Sequence, residues 1–432
     1  MTPSDSQPDT TLDPVATTTA AADIPVAGQR PLALLVSTAG APWMLLAFLA
    51  RLPVAMLPLT VLVSGQVLTG SFAAAGLLVG ALSLGGVVGA PLVGALADRI
   101  GHRRTLVVIT IPGALGLLGL IGLFFWPAPL GVALALSALV GASNAQVGPL
   151  ARASWSTRFA GHPDARHRVE VAMGYETVAD EVSYVAGPVL GATLAAVVSP
   201  VVALSVTLVL LVCGQLGFAL LNRSAQARVP GVGRRLTRPG LLAPWIAIAA
   251  AVGLVFGSVQ ASVTASLADT ASGFTGVVYA FIGIGSATSG MLTHKLARWS
   301  LPDRVIGAGV LLALAGGMLV AAALLTGGPF LHAAALAAAC LAVGLCVAPL
   351  LVSSYAAAER LASAGNTLVL TLLATATLAG VGLGASAAGM LVEAASVTVA
   401  LAIPVLVGVV CAALGVGVRA LNVDAFAPTV TA

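Results

Sequence analysis

Apolar residues dominate the chain from Leu32 to Val418, and polar positions punctuate them in blocks rather than alternating with them. Runs of about twenty apolar residues, enough to cross a bilayer as a helix, recur to the end. The pattern predicts spans at about 40–63, 71–97, 105–126, 129–151, 169–197 and 200–222 in the first half. In the second half it predicts about 241–266, 273–294, 305–326, 329–352, 364–392 and 395–418. Ahead of them, Met1 to Arg30 is rich in Thr, Asp, Pro and Ala without an apolar period. It reads as part of a disordered tail over 1–35, and it lacks the basic start, apolar core and cleavage site of a signal peptide.

Composition sharpens this picture. Only 8% of the 432 residues are charged and 59% are hydrophobic, whereas a soluble domain carries about 25% charged residues. There is too little charge to coat a water-facing surface. A soluble enzyme, a nucleic-acid-binding protein and a disordered scaffold are all excluded, and lipid must solvate most of the exterior. The 49 glycines suit tightly packed membrane helices. Cys213, Cys340, Cys346 and Cys411 lie in apolar runs without a CxxC pair, so they read as buried free thiols, with no disulfide framework and no metal site. HExxH, GxSxG and P-loop motifs are missing, which argues against an enzyme and against ATP-driven pumping.

Orientation follows from the basic residues. Of the 19 Lys and Arg, Arg51 alone falls within a predicted span; the rest lie in the tails and in alternate connections. One set holds Arg99, Arg103 and Arg104, then Arg152, Arg158, Arg166 and Arg168, then the central segment from Arg223 to Arg238. It continues through Lys295, Arg298, Arg304 and Arg360, while the intervening connections hold none. The positive-inside rule makes the basic side cytoplasmic, so an even span count puts both termini in the cytoplasm of a multi-pass inner (cell) membrane protein. The chain is also internally repeated: Gly148-Pro149-Leu150 and Ala348-Pro349-Leu350 end corresponding spans, followed in register by Ser154-Trp155 and Ser354-Tyr355. These features predict an all-α polytopic membrane protein of two pseudo-symmetric six-helix bundles, 36–222 and 241–418. A basic cytoplasmic linker at 223–240 joins them, and a tail occupies 419–432.

Two motifs carry a family resemblance. The loop after span 2 reads Gly94-Ala95-Leu96-Ala97-Asp98-Arg99-Ile100-Gly101-His102-Arg103-Arg104. It resembles the G-x-L-A-D-[RK]-x-G-[RK]-[RK] signature of the major facilitator superfamily, with His102 at the first paired basic position. Gly94 suits close helix approach, Gly101 a tight turn, and the arginines an anionic membrane face. The resemblance implies that Gly94, Asp98, Arg99, Gly101 and Arg103 form a loop that latches the two halves and biases their equilibrium. In span 5, Gly174, Ser183, Gly187-Pro188 and Gly191 resemble the family's exporter motif, with Ser183 and Ala192 replacing two glycines. That motif implies a proton-linked antiporter. The family's span 4 Arg is missing, since Ser137 stands four residues before Gly141.

Charges inside spans supply the candidate chemistry. Arg51 in span 1 and Asp180 in span 5 lie roughly 16 Å from the predicted cytoplasmic helix ends, and Glu176 and Glu181 flank Asp180 within the same span. Charge at that depth is costly and is paired or functional. One Arg cannot neutralise three acids, so the expectation is an Arg51–Asp180 ion pair, or its Glu181 variant, with Glu176 or Glu181 carrying a proton. Asn144, Gln146, Tyr184, Gln260, Tyr279 and Asn366 are softer candidates for a substrate cavity. His332 and Glu393 lie at outer helix ends and read as interfacial. The resulting expectation is a monomeric alternating-access transporter in contact with lipid, powered by the proton gradient without a cofactor. It would export a small hydrophobic or weakly cationic compound. The alternatives are an importer or uniporter of a neutral metabolite, and a non-transporting membrane receptor or assembly partner.

Overall fold

The computed structural model describes residues 31–144, 147–222, 239–325, 328–361 and 367–421. Residues 1–30 of the expected tail, 223–238 of the linker, 422–432, Gln146 and Asn366 lie outside the described residues. Twelve helices have the length and composition to cross a membrane. Spans 1 to 6 are Ala41–Thr69, Phe72–Ala97, His102–Gly122, Leu130–Arg158, Ala165–Val198 and Pro200–Leu221. Spans 7 to 12 are Ala243–Leu267, Ser272–Leu292, Leu301–Ala323, Pro329–Leu361, Val369–Ala394 and Val397–Ala420. A short helix, Pro31–Ala39, stands where the sequence suggested disorder as far as residue 35.

Several helices outrun their apolar stretches because backbone geometry, not hydropathy, ends them. Span 1 continues past Val63 until Gly70 adopts a left-handed φ of 68° and returns its N–H to the Gln66 carbonyl. Spans 4 and 10 run on to Arg158 and Leu361, so Arg152 sits on a helix rather than in a connection. Gly101, at φ 87°, lets the helix ending at Ile100 restart at His102 with one residue between. Cys340, Cys346 and Cys411 are buried, but Cys213 lies on an exposed helix face, where lipid can cover a small apolar side chain.

Spans 1–6 pack on one another, and spans 7–12 do likewise, through glycines that bring backbones together. A Cβ on Gly85, Gly89 or Gly141 would strike the backbone between spans 2 and 4. In the second half, Gly253 and Gly380 hold spans 7 and 11 equally close. Between the halves, the close glycine contacts run from the arginine-poor side to about mid-span. Gly76 and Gly80 of span 2 meet Ala385, Ser386 and Gly382 of span 11, while Gly276 of span 8 meets Pro188 and Val189 of span 5. Toward the basic side the halves diverge: a Cβ on Gly94 would meet nothing within 4 Å, and Leu92 is 63% exposed. The cleft between the bundles therefore opens on the basic face. Gly94 makes no close approach in this conformation.

The packing has a direct test. Gly253→Ala, whose Cβ would press on the Thr377 carbonyl and the Val381 nitrogen, should destabilise the detergent-solubilised protein by about 1–3 kcal/mol. Gly94→Ala should stay within about 0.5 kcal/mol of wild type. Thermal unfolding of both variants checks the contrast.

Candidate functional site

The site begins with an interruption in span 1. Its helix stops at Leu49 and restarts at Leu52, with Pro53 in the first turn of the second segment. Proline has no N–H to continue the ladder, so the chain loosens just ahead of it. Arg51 occupies the break, and its backbone N–H turns to the Phe48 carbonyl at 3.0 Å. The Ala47 carbonyl, left without its usual backbone donor, accepts from Arg51 Nη1 at 2.9 Å. One guanidinium edge thus repairs the helix, and the rest faces span 5.

There Arg51 Nη2 pairs with Glu176 Oε2, and Nε donates to Asp180 Oδ1 at 2.8 Å. Arg51 and Glu176 are 5% and 0% exposed. The two acids are four residues apart on one helical face, which lets a single guanidinium engage both. The other Asp180 oxygen accepts from Arg152 Nη2 at 2.5 Å. Glu176 Oε1 accepts from the Trp155 indole at 2.6 Å. Trp155 is fixed in turn by an edge-on Trp43 and a stacked Phe159, at centroid distances of 5.1 and 5.7 Å. The Arg158 guanidinium lies 4.6 Å from the Trp43 ring centre. Gly148 makes room for the group, since a Cβ there would lie 3.1 Å from Asp180 Oδ1.

The result is a closed quartet, Arg51, Glu176, Asp180 and Arg152, with two charges of each sign. Arg51 engages Glu176 as well as the expected Asp180, and Arg152 joins from span 4. Sequence reasoning missed Arg152 because the apolar run ends at Ala151, which made the next charge look like a boundary. The excess of acids over Arg51 was the available signal that a second cation had to arrive. A cavity of about 130 Å³ adjoins the quartet, bordered by Arg51, Arg152, Asp180, Ser183 and Tyr184.

Glu181 stands apart. It is exposed and has no cation within ion-pair distance among the described residues. It shares its face of span 5 with Val185 and Pro188, which one and two turns further on meet Gly283 and Gly276 of span 8. The same face at Glu181 therefore looks into the cleft. Tyr184, 55% exposed, is beside it.

The remaining sequence candidates scatter. Gly187 and Gly191 pack against Ala55, Met56 and Thr60 of span 1, Ser183 donates to the Ala179 carbonyl at 2.7 Å, and the helix continues through Pro188. A Cβ on Gly174 would meet nothing within 4 Å. Asn144 lies at a break in span 4, with its side-chain oxygen buried and unpartnered. Gln260 is buried within span 7, and the Tyr279 hydroxyl donates to the Phe256 carbonyl at 3.3 Å inside the second half. Of the cavity candidates among the described residues, Tyr184 is the one that borders the cavity beside the quartet. No group of His, Cys, Asp and Glu suited to a metal occurs among the described residues.

Comparison with known proteins bears on the whole arrangement. The family pattern described as Major Facilitator Superfamily matches residues 43–364. No curated protein matches the sequence. Among solved structures, a mutant of the nucleoside transporter NupG superposes with a TM-score of 0.68 at 15% identity, covering 88% of this chain and 99% of that one. A bacterial homologue of the iron transporter ferroportin, in an inward-facing state, gives 0.66 at 15% identity, covering 90% and 100%. A bacterial homologue of the human lysosomal transporter Spinster, inward-facing and occupied, gives 0.62 at 18% identity, covering 91% and 98%. At these identities the likeness is one of fold.

Removing one member of a buried ion pair leaves its partner uncompensated. Arg51→Met should destabilise the protein by about 3–5 kcal/mol, since Glu176 loses its cation in a fully buried position. Arg152→Met should cost visibly less, because Asp180 keeps Arg51 and is partly open to the cavity. Thermal unfolding in one detergent ranks the two.

Proposed function

Since the chain belongs to the major facilitator superfamily, we propose that it is a secondary transporter working by alternating access, exporting a small hydrophobic or weakly cationic compound in exchange for a proton. The observation that carries this reading is the charge balance in the first half. Two arginines neutralise Glu176 and Asp180, which leaves Glu181 as the surplus carboxylate, facing the cleft. A carboxylate so placed is neutralised either by a proton or by a cationic substrate, not by both. Each loaded form is electrically neutral and can pass through a closed, low-dielectric state at little cost. The empty ionised form is held back by the cost of desolvating its charge. That asymmetry makes the two ligands exchange. The quartet keeps neighbouring carboxylates from competing for the same proton, and Asp180 stands between the buried pair and the cavity.

On this reading the basic face is cytoplasmic, as the positive-inside rule requires. The described conformation is then open to the cytoplasm, and both termini lie there. The proton gradient is the energy source, no cofactor is needed, and the monomer in its lipid is the working unit. The motif loop from Gly94 through Asp98, Arg99 and Gly101 to Arg103 closes the cytoplasmic side in the opposite state.

Everted membrane vesicles test the proposal. With the lumen acidified, the wild type should accumulate lipophilic monocations such as ethidium, and collapse of the pH gradient should abolish the uptake. Glu181→Gln should lower gradient-driven accumulation to background while leaving the protein folded and inserted. Asp180→Asn should do the same by freeing Arg152. Full proton-driven accumulation in Glu181→Gln and in Asp180→Asn would sink the coupling assignment, and uptake independent of pH would favour a uniporter.

A further inference from the structure

At the arginine-poor side the two halves share a helix cap. Span 2 begins after Ser71, whose hydroxyl accepts from the Ala74 backbone N–H at 3.0 Å. A capping box would place Glu or Gln at the third helical position to complete the first turn. This chain has Ala74 there, and the local sequence Ser71-Phe72-Ala73-Ala74 offers no carboxylate. The carboxylate comes instead from the other half. Glu393, at the end of span 11, accepts from the Ala73 backbone N–H at 3.1 Å, across 320 positions of sequence.

The approach is prepared by a stripe of small residues on span 11. Gly382, Ser386, Gly389 and Glu393 recur on one helical face. A Cβ on Gly382 would lie 2.7 Å from Ser83, and one on Gly389 would strike the Phe72 carbonyl. Between them Ser386 donates to the Gly76 carbonyl at 3.1 Å. The stripe brings the start of span 2 within reach, and Glu393 closes on the exposed N–H groups where the helix dipole favours negative charge. On the elements packed against this end of span 11, the described ionisable groups are few. Spans 2 and 12 bring none here, Asp269 follows span 7, and His332 at the start of span 10 is engaged with Ser266 at 2.9 Å. No arginine or lysine competes for Glu393 on this face among the described residues.

We propose that Glu393 is the latch of the arginine-poor gate: its charge caps span 2 only while the halves are closed at that side, and so stabilises the conformation open to the basic face. The contact joins the two bundles, so it must break when they part there. Each bundle keeps its own packing without it, and the latch therefore sets the equilibrium between conformations rather than the stability of either bundle.

Spin-label distances read this directly in the full-length protein. Trp126 and Phe330 are exposed at the arginine-poor side, one in each half. With Cys213 replaced by Ser, nitroxides at Trp126→Cys and Phe330→Cys should report chiefly the short, closed separation. Glu393→Gln keeps the size and an acceptor but removes the charge. It should raise the population with a long separation roughly five- to tenfold, as loss of a charge-assisted bond implies. Glu393→Ala should do so at least as far, and neither should lower the unfolding temperature appreciably. Distances unchanged in both variants would overturn the latch, and a Gln variant that stays as closed as wild type would overturn its dependence on charge. The readout needs neither substrate nor pH gradient, so it stands or falls independently of the exchange at Glu181.

Discussion

A guanidinium held away from water must be matched charge for charge, and much of the first half is arranged around that demand at Arg51. Span 1 is interrupted where the residue sits, its freed carbonyl is satisfied by the same side chain, and span 5 presents two acids one turn apart. Span 4 contributes both a glycine that admits the cluster and an arginine that completes it. The aromatic group of Trp43, Trp155 and Phe159 then seals the buried end. Arg51 and Glu176 are the members that cannot be spared, since each is buried and losing either leaves the other short of its partner.

The second half shows what the same scaffold does without that demand. Tyr355 stands where the repeat places Trp155, yet spans 7 to 12 carry no Asp, Glu, His, Lys or Arg near their middles. Span 10 runs unbroken through Pro349, whereas span 4 breaks near Asn144 before Pro149. Its helices are held by glycine contacts between backbones and by hydroxyls returned to their own turns, as for Thr375 and Thr377. The chemical asymmetry of the two bundles is thus written in a handful of side chains on a common frame.

That frame was legible from the sequence because lipid imposes a length and a polarity on every helix. The twelve spans and the tight turn at Gly101 follow from such one-dimensional rules. Helix ends were less legible, since Gly70 and the run-on of spans 4 and 10 obey backbone geometry. The quartet was half visible: the acids and Arg51 stood out inside apolar runs, but Arg152 looked like an ordinary boundary charge. The cap on span 2 was hidden, because its two partners lie 320 positions apart and Glu393 by itself looks interfacial.

The neutrality of the quartet has an electrical consequence. A transmembrane voltage does work on net charge, about 2.3 kcal/mol per elementary charge per 100 mV for a full crossing. Two arginines and two carboxylates moving together present no net charge to that field. In the alternating access proposed above, the first bundle would therefore rock against the second without the membrane potential pushing on its buried ions. In the exchange proposed at Glu181, voltage would act on the empty, ionised carboxylate, and the voltage dependence of turnover would report how often it makes the crossing unoccupied.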